Sequence, residues 1–468
     1  MRFKKTIALL LGAWMLCAPL AACQKSDSPS KSALTAPPNV DTSPVQIEEG
    51  TDYEALAAER LDAITATPET DFTYTVADGS VTVTAYTGSA ASVRVPDTIQ
   101  ALPVRAIAAG AFADNKTLEA LILPDGLTQL GTGILTGCTA LKYLETPLLG
   151  ADASAPQFLG YLYGAAEYAE SYRVPNALAL LRLSGNSKTL PAYALYGCDS
   201  LLCVMLPESL ETIEACAMFD CRALEQLIGL ESVVTVGEYA FADCSALQEL
   251  TFGSNTTSIG FAALYGCERL VSLTLPFAGG SLTENNYLAY LFGAESPDFA
   301  KGYYPASLAR VEFLPSCTAL GNYAFYECET LKEVVLPDGL RTIGVRAFDS
   351  CTALWSITLP DSLTSIRENA FFGCQSLQTV KFGNGLKSIG VNAFYSCLSL
   401  REIDLPQSLK SLPASCFADC VSLQTVRLGG VTSVGAQAFR SCSAVKKVSA
   451  SEKVKFEDGN SYVSDRLK

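Results

Sequence analysis

A phenylalanine followed three residues later by a cysteine returns at a fixed step along the second half of this chain. Phe325, Phe348, Phe371, Phe394 and Phe417 lie 23 residues apart, Phe439 follows after 22, and Cys328, Cys351, Cys374, Cys397, Cys420 and Cys442 keep pace. A second train with the same step carries Cys198, Cys221, Cys244 and Cys267 behind Leu195, Met218, Phe241 and Leu264. A shorter one pairs Phe112 with Asn115 and Leu135 with Cys138. A unit this short cannot bury an apolar face alone, so the twelve units must stack as successive coils of a solenoid.

The chemistry inside one unit fits that architecture. In "CTALWSITLPDSLTSIRENAF", from 351, Leu354, Ile357 and Leu359 alternate inward from a short extended segment that Pro360 ends. Leu363 and Ile366 face the same interior from the returning side, and Ala370 and Phe371 close the coil. Proline recurs at this slot in Pro124, Pro207, Pro276, Pro337 and Pro406. The expected fold is a β-rich leucine-rich-repeat solenoid of about twelve coils, each 22–23 residues long, with short parallel strands, two inserted modules and an N-terminal β cap.

The chain opens "MRFKKTIALLLGAWMLCAPLAAC", with Arg2, Lys4 and Lys5 ahead of a short apolar run, the pattern of a secretory signal peptide. Leu20-Ala21-Ala22-Cys23 resembles the lipobox of bacterial lipoproteins, which implies cleavage after residue 22 and a lipid on Cys23. Residues 23–50 are rich in Ser, Pro, Asp and Thr, the composition of a flexible tether. Residues 51–105 should hold a short helix, from Leu56, Leu61 and Ile64, and a hairpin around Asp78-Gly79. Repeats then occupy 106–146, 198–275 and 328–445, with modules inserted at 147–197 and 276–327 and a cap or tail at 446–468.

The two interruptions are one module used twice. "FLGYLYGAAEYAESYRVPNALALLRL" from 158 parallels "YLAYLFGAESPDFAKGYYPASLARVEF" from 287, with Gly164 matching Gly293 and Pro175 matching Pro305. Aromatics cluster in both: Tyr161, Tyr163, Tyr168 and Tyr172 in the first, Tyr287, Tyr290, Phe292, Tyr303 and Tyr304 in the second. Such rings either fold back over neighbouring coils, the favoured reading, or present a recognition surface.

Eleven of the 17 cysteines share one slot per coil and so form a column, read as buried thiols, with disulfides between adjacent coils as the minority reading. Cys203, Cys216, Cys317 and Cys416 lie off it, and no cysteine spacing suits a metal. The chain has no histidine, which removes Ser-His and Cys-His nucleophiles and the commonest general base. No phosphate loop appears, so neither catalysis nor a cofactor is expected. Charge is uneven: residues 24–300 hold 12 basic and 33 acidic groups, whereas 301–468 hold 18 and 15. The acidic balance disfavours nucleic acid as a partner.

The unit Ala-Phe, Cys three on, Leu three further, then an aliphatic pair closing on Pro, resembles the BspA-type leucine-rich-repeat family of bacterial surface proteins over roughly 70–448. That resemblance implies an adhesin-like module at the bacterial cell surface, anchored to the membrane through its lipid alone, monomeric, and binding a host matrix or cell-surface protein or glycan. A spacer without a ligand, and last a carboxylate-based carbohydrate-active enzyme, are the alternatives. Alternation places the candidate surface on outward strand positions: Glu249 and Thr251, Ser272 and Thr274, Glu333 and Val335, Ser356 and Thr358, Thr379 and Lys381, Glu402 and Asp404, Thr425 and Arg427.

Overall fold

The computed structural model describes residues 51–451 and 453–467. The signal peptide, Cys23 and the tether lie outside the described residues. From Ser92 onward the chain winds as a parallel β-solenoid. One side is built of parallel sheets of six, four and five strands, and the other of two-residue strands in sheets of four, four and three. Corresponding residues of successive coils pair directly, as in Ser356↔Thr379 and Ile357↔Val380.

Core residues repeat with the coil. Leu354, Ile357, Leu359, Leu363, Ile366, Ala370 and Phe371 are all buried, and their counterparts run the length of the molecule. Between the two strands of each coil the chain turns through two left-handed residues, such as Asn369 (φ 55°) and Gly373 (φ 68°). Gly, Asp and Ser dominate the second of these slots, whereas the first also takes larger residues such as Tyr193, Tyr239, Tyr323 and Arg346. The phenylalanines form a continuous stack: from Phe325 to Phe417 centroids are 4.9 to 5.1 Å apart with planes within 8° of parallel. The step to Phe439, one residue short in sequence, opens to 5.7 Å.

The cysteine column sits beside this stack and ties the coils together. The Cys374 thiol donates to the carbonyl of Phe348, in the preceding coil, at 3.1 Å. The same bond recurs from Cys351 to Phe325 (3.2 Å) and from Cys397 to Phe371 (3.3 Å). Cys198 and Cys328, the first column cysteines after each interruption, lack that carbonyl 26 residues back, and Cys198 turns instead toward Tyr196. All eleven are free thiols, as are the off-column Cys203, Cys317 and Cys416. Burial pushes the thiols of Cys267 and Cys328 up to about 12, so they stay protonated. Asn115 fills the slot in the first unit, where its Oδ1 accepts from the Thr117 and Leu118 amides, both at 3.0 Å.

Each interruption proves to contain coils of its own. Leu180–Leu183 and Arg310–Phe313 enter the large sheets in register, and Thr189–Leu190 and Ala319–Leu320 enter the small ones. The 3-10 turns Leu159–Tyr163 and Leu288–Phe292 replace the Ala-Phe corner. The Leu162 carbonyl accepts from Leu135 N–H at 2.8 Å, as Ala370 accepts from Phe348 at 2.7 Å. Gly164 (φ 84°) and Gly293 (φ 97°) end the two turns in the left-handed region, which explains why glycine stands at both.

The ends are closed differently. Phe72–Ala77 and Ser80–Tyr86 form an antiparallel hairpin, turned by Asp78 and Gly79, both with positive φ, and its second strand pairs parallel with Leu102–Ile107. At the C-terminus Lys447–Ser449 and Lys455–Phe456 continue the two sides. The buried Asn460 then stands in for a further coil. Its Oδ1 accepts from Phe439 N–H at 3.1 Å, the bond that Ala438 O supplies to Phe417, and its Nδ2 donates to Gly435 O at 3.0 Å.

Candidate recognition surface

The helical segment near the start, one α-turn at Tyr53–Ala57 continued by a π-turn at Ala58–Asp62, lies on the outward face of the first large sheet. Tyr53, Ala57 and Leu61 are buried against Ile122, Leu180 and Cys203, with Met205 and Ile228 at the edge. Polar contacts fix the rim: Tyr53 Oη donates to Glu225 at 2.8 Å, and Arg182 bridges Glu145 (2.6 Å) and Asp62 (2.5 Å). Desolvation, helped by the Glu225 carboxylate, holds the Tyr53 hydroxyl above its ordinary range. This cover explains why outward positions in these coils are apolar and why Cys203 lies off the column. Ile122, Leu180, Cys203, Met205 and Ile228 were the available sequence signal that the face is covered.

Beyond this cover the same face is polar and open. Glu249, Thr251, Glu333, Thr358, Thr379, Lys381, Glu402, Asp404 and Arg427 are exposed, and Ser272, Thr274, Val335, Ser356 and Thr425 are partly so. Pairing brings them into rows. Glu249, Ser272 and Glu333 share one row, and Thr251, Thr274 and Val335 the next. Ser356, Thr379, Glu402 and Thr425 share a third row; Thr358 pairs with Lys381, and Asp404 with Arg427. Arg310 and Glu312, from the strand inside the second interruption, stand in the first two rows. Their alternation in "ARVEF" is legible in the sequence, but the segment falls within a stretch expected to be an insert. Arg310 lies 2.7 Å from Glu312 and 3.6 Å from Glu333, and Arg427 lies 3.5 Å from Glu402 and 3.7 Å from Asp404.

The insert aromatics divide. Tyr163 and Tyr287 are buried and offer no ring to a partner: Tyr163 packs in the main core, and Tyr287 Oη donates to Ala294 O at 3.0 Å. This corrects their candidacy as surface groups: Tyr163, in the first 3-10 turn, and Tyr287, immediately before the second, are both buried. Tyr161, Tyr168, Tyr290 and Tyr304 are half-buried. Tyr168 stacks on Tyr193 at 4.2 Å, Tyr304 donates to Tyr326 O at 3.2 Å, and Tyr161 donates to Leu130 O at 3.0 Å. Only Tyr172, 69% exposed, and Tyr303, 40% exposed, project from the eight candidate tyrosines. Packing therefore takes most of the cluster.

A shallow hollow of about 310 Å³ is lined by residues that include Ala106, Gln129, Leu130 and Asp152. Among the described residues no group of three or more His, Cys, Asp or Glu is placed to hold a metal, and no helix is long and apolar enough to cross a membrane.

Stacked coils of about 23 residues with short parallel strands define a leucine-rich-repeat protein. The BspA type leucine rich repeat region matches residues 85–150, 173–288, 300–424 and 342–465, and the chain belongs to that family. Solved structures similar to it include a leucine-rich repeat protein from Bacteroides ovatus. It is 21% identical, with 83% of this chain and 98% of that one covered and a TM-score of 0.32. A leucine rich cell surface protein from Faecalibacterium prausnitzii is 22% identical, with 84% and 96% covered and a TM-score of 0.28. The pneumococcal vaccine antigen PcpA is 18% identical, with 84% and 98% covered and a TM-score of 0.30. No curated protein matches the chain.

Proposed function

We propose that this protein is a non-catalytic recognition module displayed at the bacterial cell surface, held by a lipid on Cys23, that binds a protein or glycan of host matrix or of other cells. The observation that carries the reading is the division of the strand face. The first large sheet spends its outward positions on packing a helix, whereas the rows from Glu249 to Arg427 are polar, solvent-facing and uncovered within the described residues. An extended polar sheet suits a macromolecular or glycan partner better than a small apolar one. The family supports a repeat protein used for contact rather than chemistry.

Binding of residues 51–468 to an array of matrix proteins, glycans and bacterial cells tests this. Saturable binding to one class, lost when strand-face residues are changed, is expected. A well-folded preparation that binds nothing overturns it and leaves a surface spacer. Membrane fractionation of the wild type beside Cys23→Ser tests the anchor: release of the variant into the soluble fraction is expected.

A further inference from the structure

The open strand face changes character after Leu331. In the coils from Lys332 to Ser449, Glu333 is engaged by Arg310, and Glu402 and Asp404 by Arg427. Lys332, Lys381, Arg401, Lys446 and Lys447 on the same side are exposed and, among the described residues, enter no ion pair. On these strands and the residue before each, every charge outside an ion pair is therefore positive, within a chain whose formal net charge is −15.

These cations have a linear arrangement. The residue immediately before each strand is, coil by coil, Lys332, Trp355, Gln378, Arg401, Gln424 and Lys446, and all six are exposed. From Trp355 onward backbone bonds lock the line: Gln378 N–H donates to Trp355 O (2.8 Å), Arg401 to Gln378 (3.3 Å), Gln424 to Arg401 (2.7 Å) and Lys446 to Gln424 (2.9 Å). Five coil steps at the strand spacing make a strip about 24 Å long. Trp355, at 55% exposure, is the one large exposed apolar side chain on it.

We propose that this strip binds a linear acidic polysaccharide. A sugar ring would stack on the Trp355 indole, carboxylate or sulfate groups would pair with Lys332, Arg401 and Lys446, and the Gln378 and Gln424 amides would meet hydroxyls. A folded protein partner fits less well, because a stable interface needs an apolar core within roughly 800 Å² per side. The proposal rests on the recognition reading above and gives it a site and a ligand class.

The test uses the full chain with hyaluronan, heparin and neutral dextran at low and high salt. Expected is saturable binding of at least one acidic polymer, none of dextran, and weakening with salt. The variant Lys332→Glu, Arg401→Glu, Lys446→Glu should lose roughly tenfold or more in affinity, and Trp355→Ala several-fold, with unchanged thermal melts. Arg341→Glu, Lys387→Glu, Lys410→Glu makes the same charge change on the opposite side and should bind as the wild type. Equal loss in that control, equal affinity for polyglutamate or single-stranded DNA, or no acidic polysaccharide bound would overturn the proposal. A ligand from the array whose binding ignores these variants would overturn it while leaving the recognition reading intact.

Discussion

Phe371 and Phe394 stack with ring centroids 4.9 Å apart and planes 5° from parallel, although 23 residues separate them in sequence. The contact converts a sequence period into a spatial one, since the ring separation matches the spacing of neighbouring strands. Each inner ring is clamped between two others. Phe371→Ala should therefore open a cavity that the rigid coils close poorly, costing about 3–5 kcal/mol in denaturant unfolding. Phe439→Ala, at the looser 5.7 Å end of the stack, should cost measurably less.

The thiol column makes stability fall in alkali. Burial raises Cys267 and Cys328 from an ordinary 9.0 to about 12, so between those values the unfolded chain releases protons that the folded chain keeps. That difference favours unfolding as pH rises, and the stabilisation is complete only below about pH 9. Melting temperature should decline steeply above that value, and replacing column cysteines with serine should flatten the decline.

At the level of one coil, Cys374→Ser should be better tolerated than Cys374→Ala in a melt. The hydroxyl can still donate to Phe348 O, whereas alanine leaves that carbonyl with the Cys351 amide alone, at a cost of about 1 kcal/mol.

Asn460→Ala should loosen the last coil first. It removes the acceptor for Phe439 N–H and the donor to Gly435 O at once. A buried amide left unpaired costs about 1–3 kcal/mol, and hydrogen exchange should report it as lost protection at Phe439, with Phe371 unaffected.

Leu61→Ala should weaken the cover over the first sheet by about 2–5 kcal/mol. The readout is Cys203: protected under the helical segment in the wild type, it should become alkylated faster in the variant, while the column cysteines remain inert.

The sequence exposed whatever repeats. Phe371, Cys374 and Leu377 return at one step, so coil, core and outward strand rows followed from counting. It hid whatever happens once. Nothing in "TDYEALAAERLDAITA" says which surface the helical segment covers; the clue sat far away in the apolar outward residues Leu180 and Ile228. Packing is the favoured reading of the aromatic clusters, but nothing singles out Tyr163 and Tyr287 as their buried members, because aromatics in an apparent insertion carry no sign of direction. The 3-10 corners at these positions depend on bonds to coils 27 residues earlier, as from Leu135 to Leu162. The strip through Trp355 escaped notice because its residue changes identity in every coil.

Asn460 also bears on how such a chain can change in length. A side chain that impersonates the next coil terminates the stack without requiring anything of the coils before it. Units between the hairpin and this stop are thus interchangeable in number. Excising one 23-residue unit, Cys351 to Gly373, rejoins Ser350 to Cys374 and restores the same corner, with one ring fewer in the stack. Duplication or loss of a unit would then adjust the reach of the molecule in steps of about 4.8 Å, with both ends unaltered.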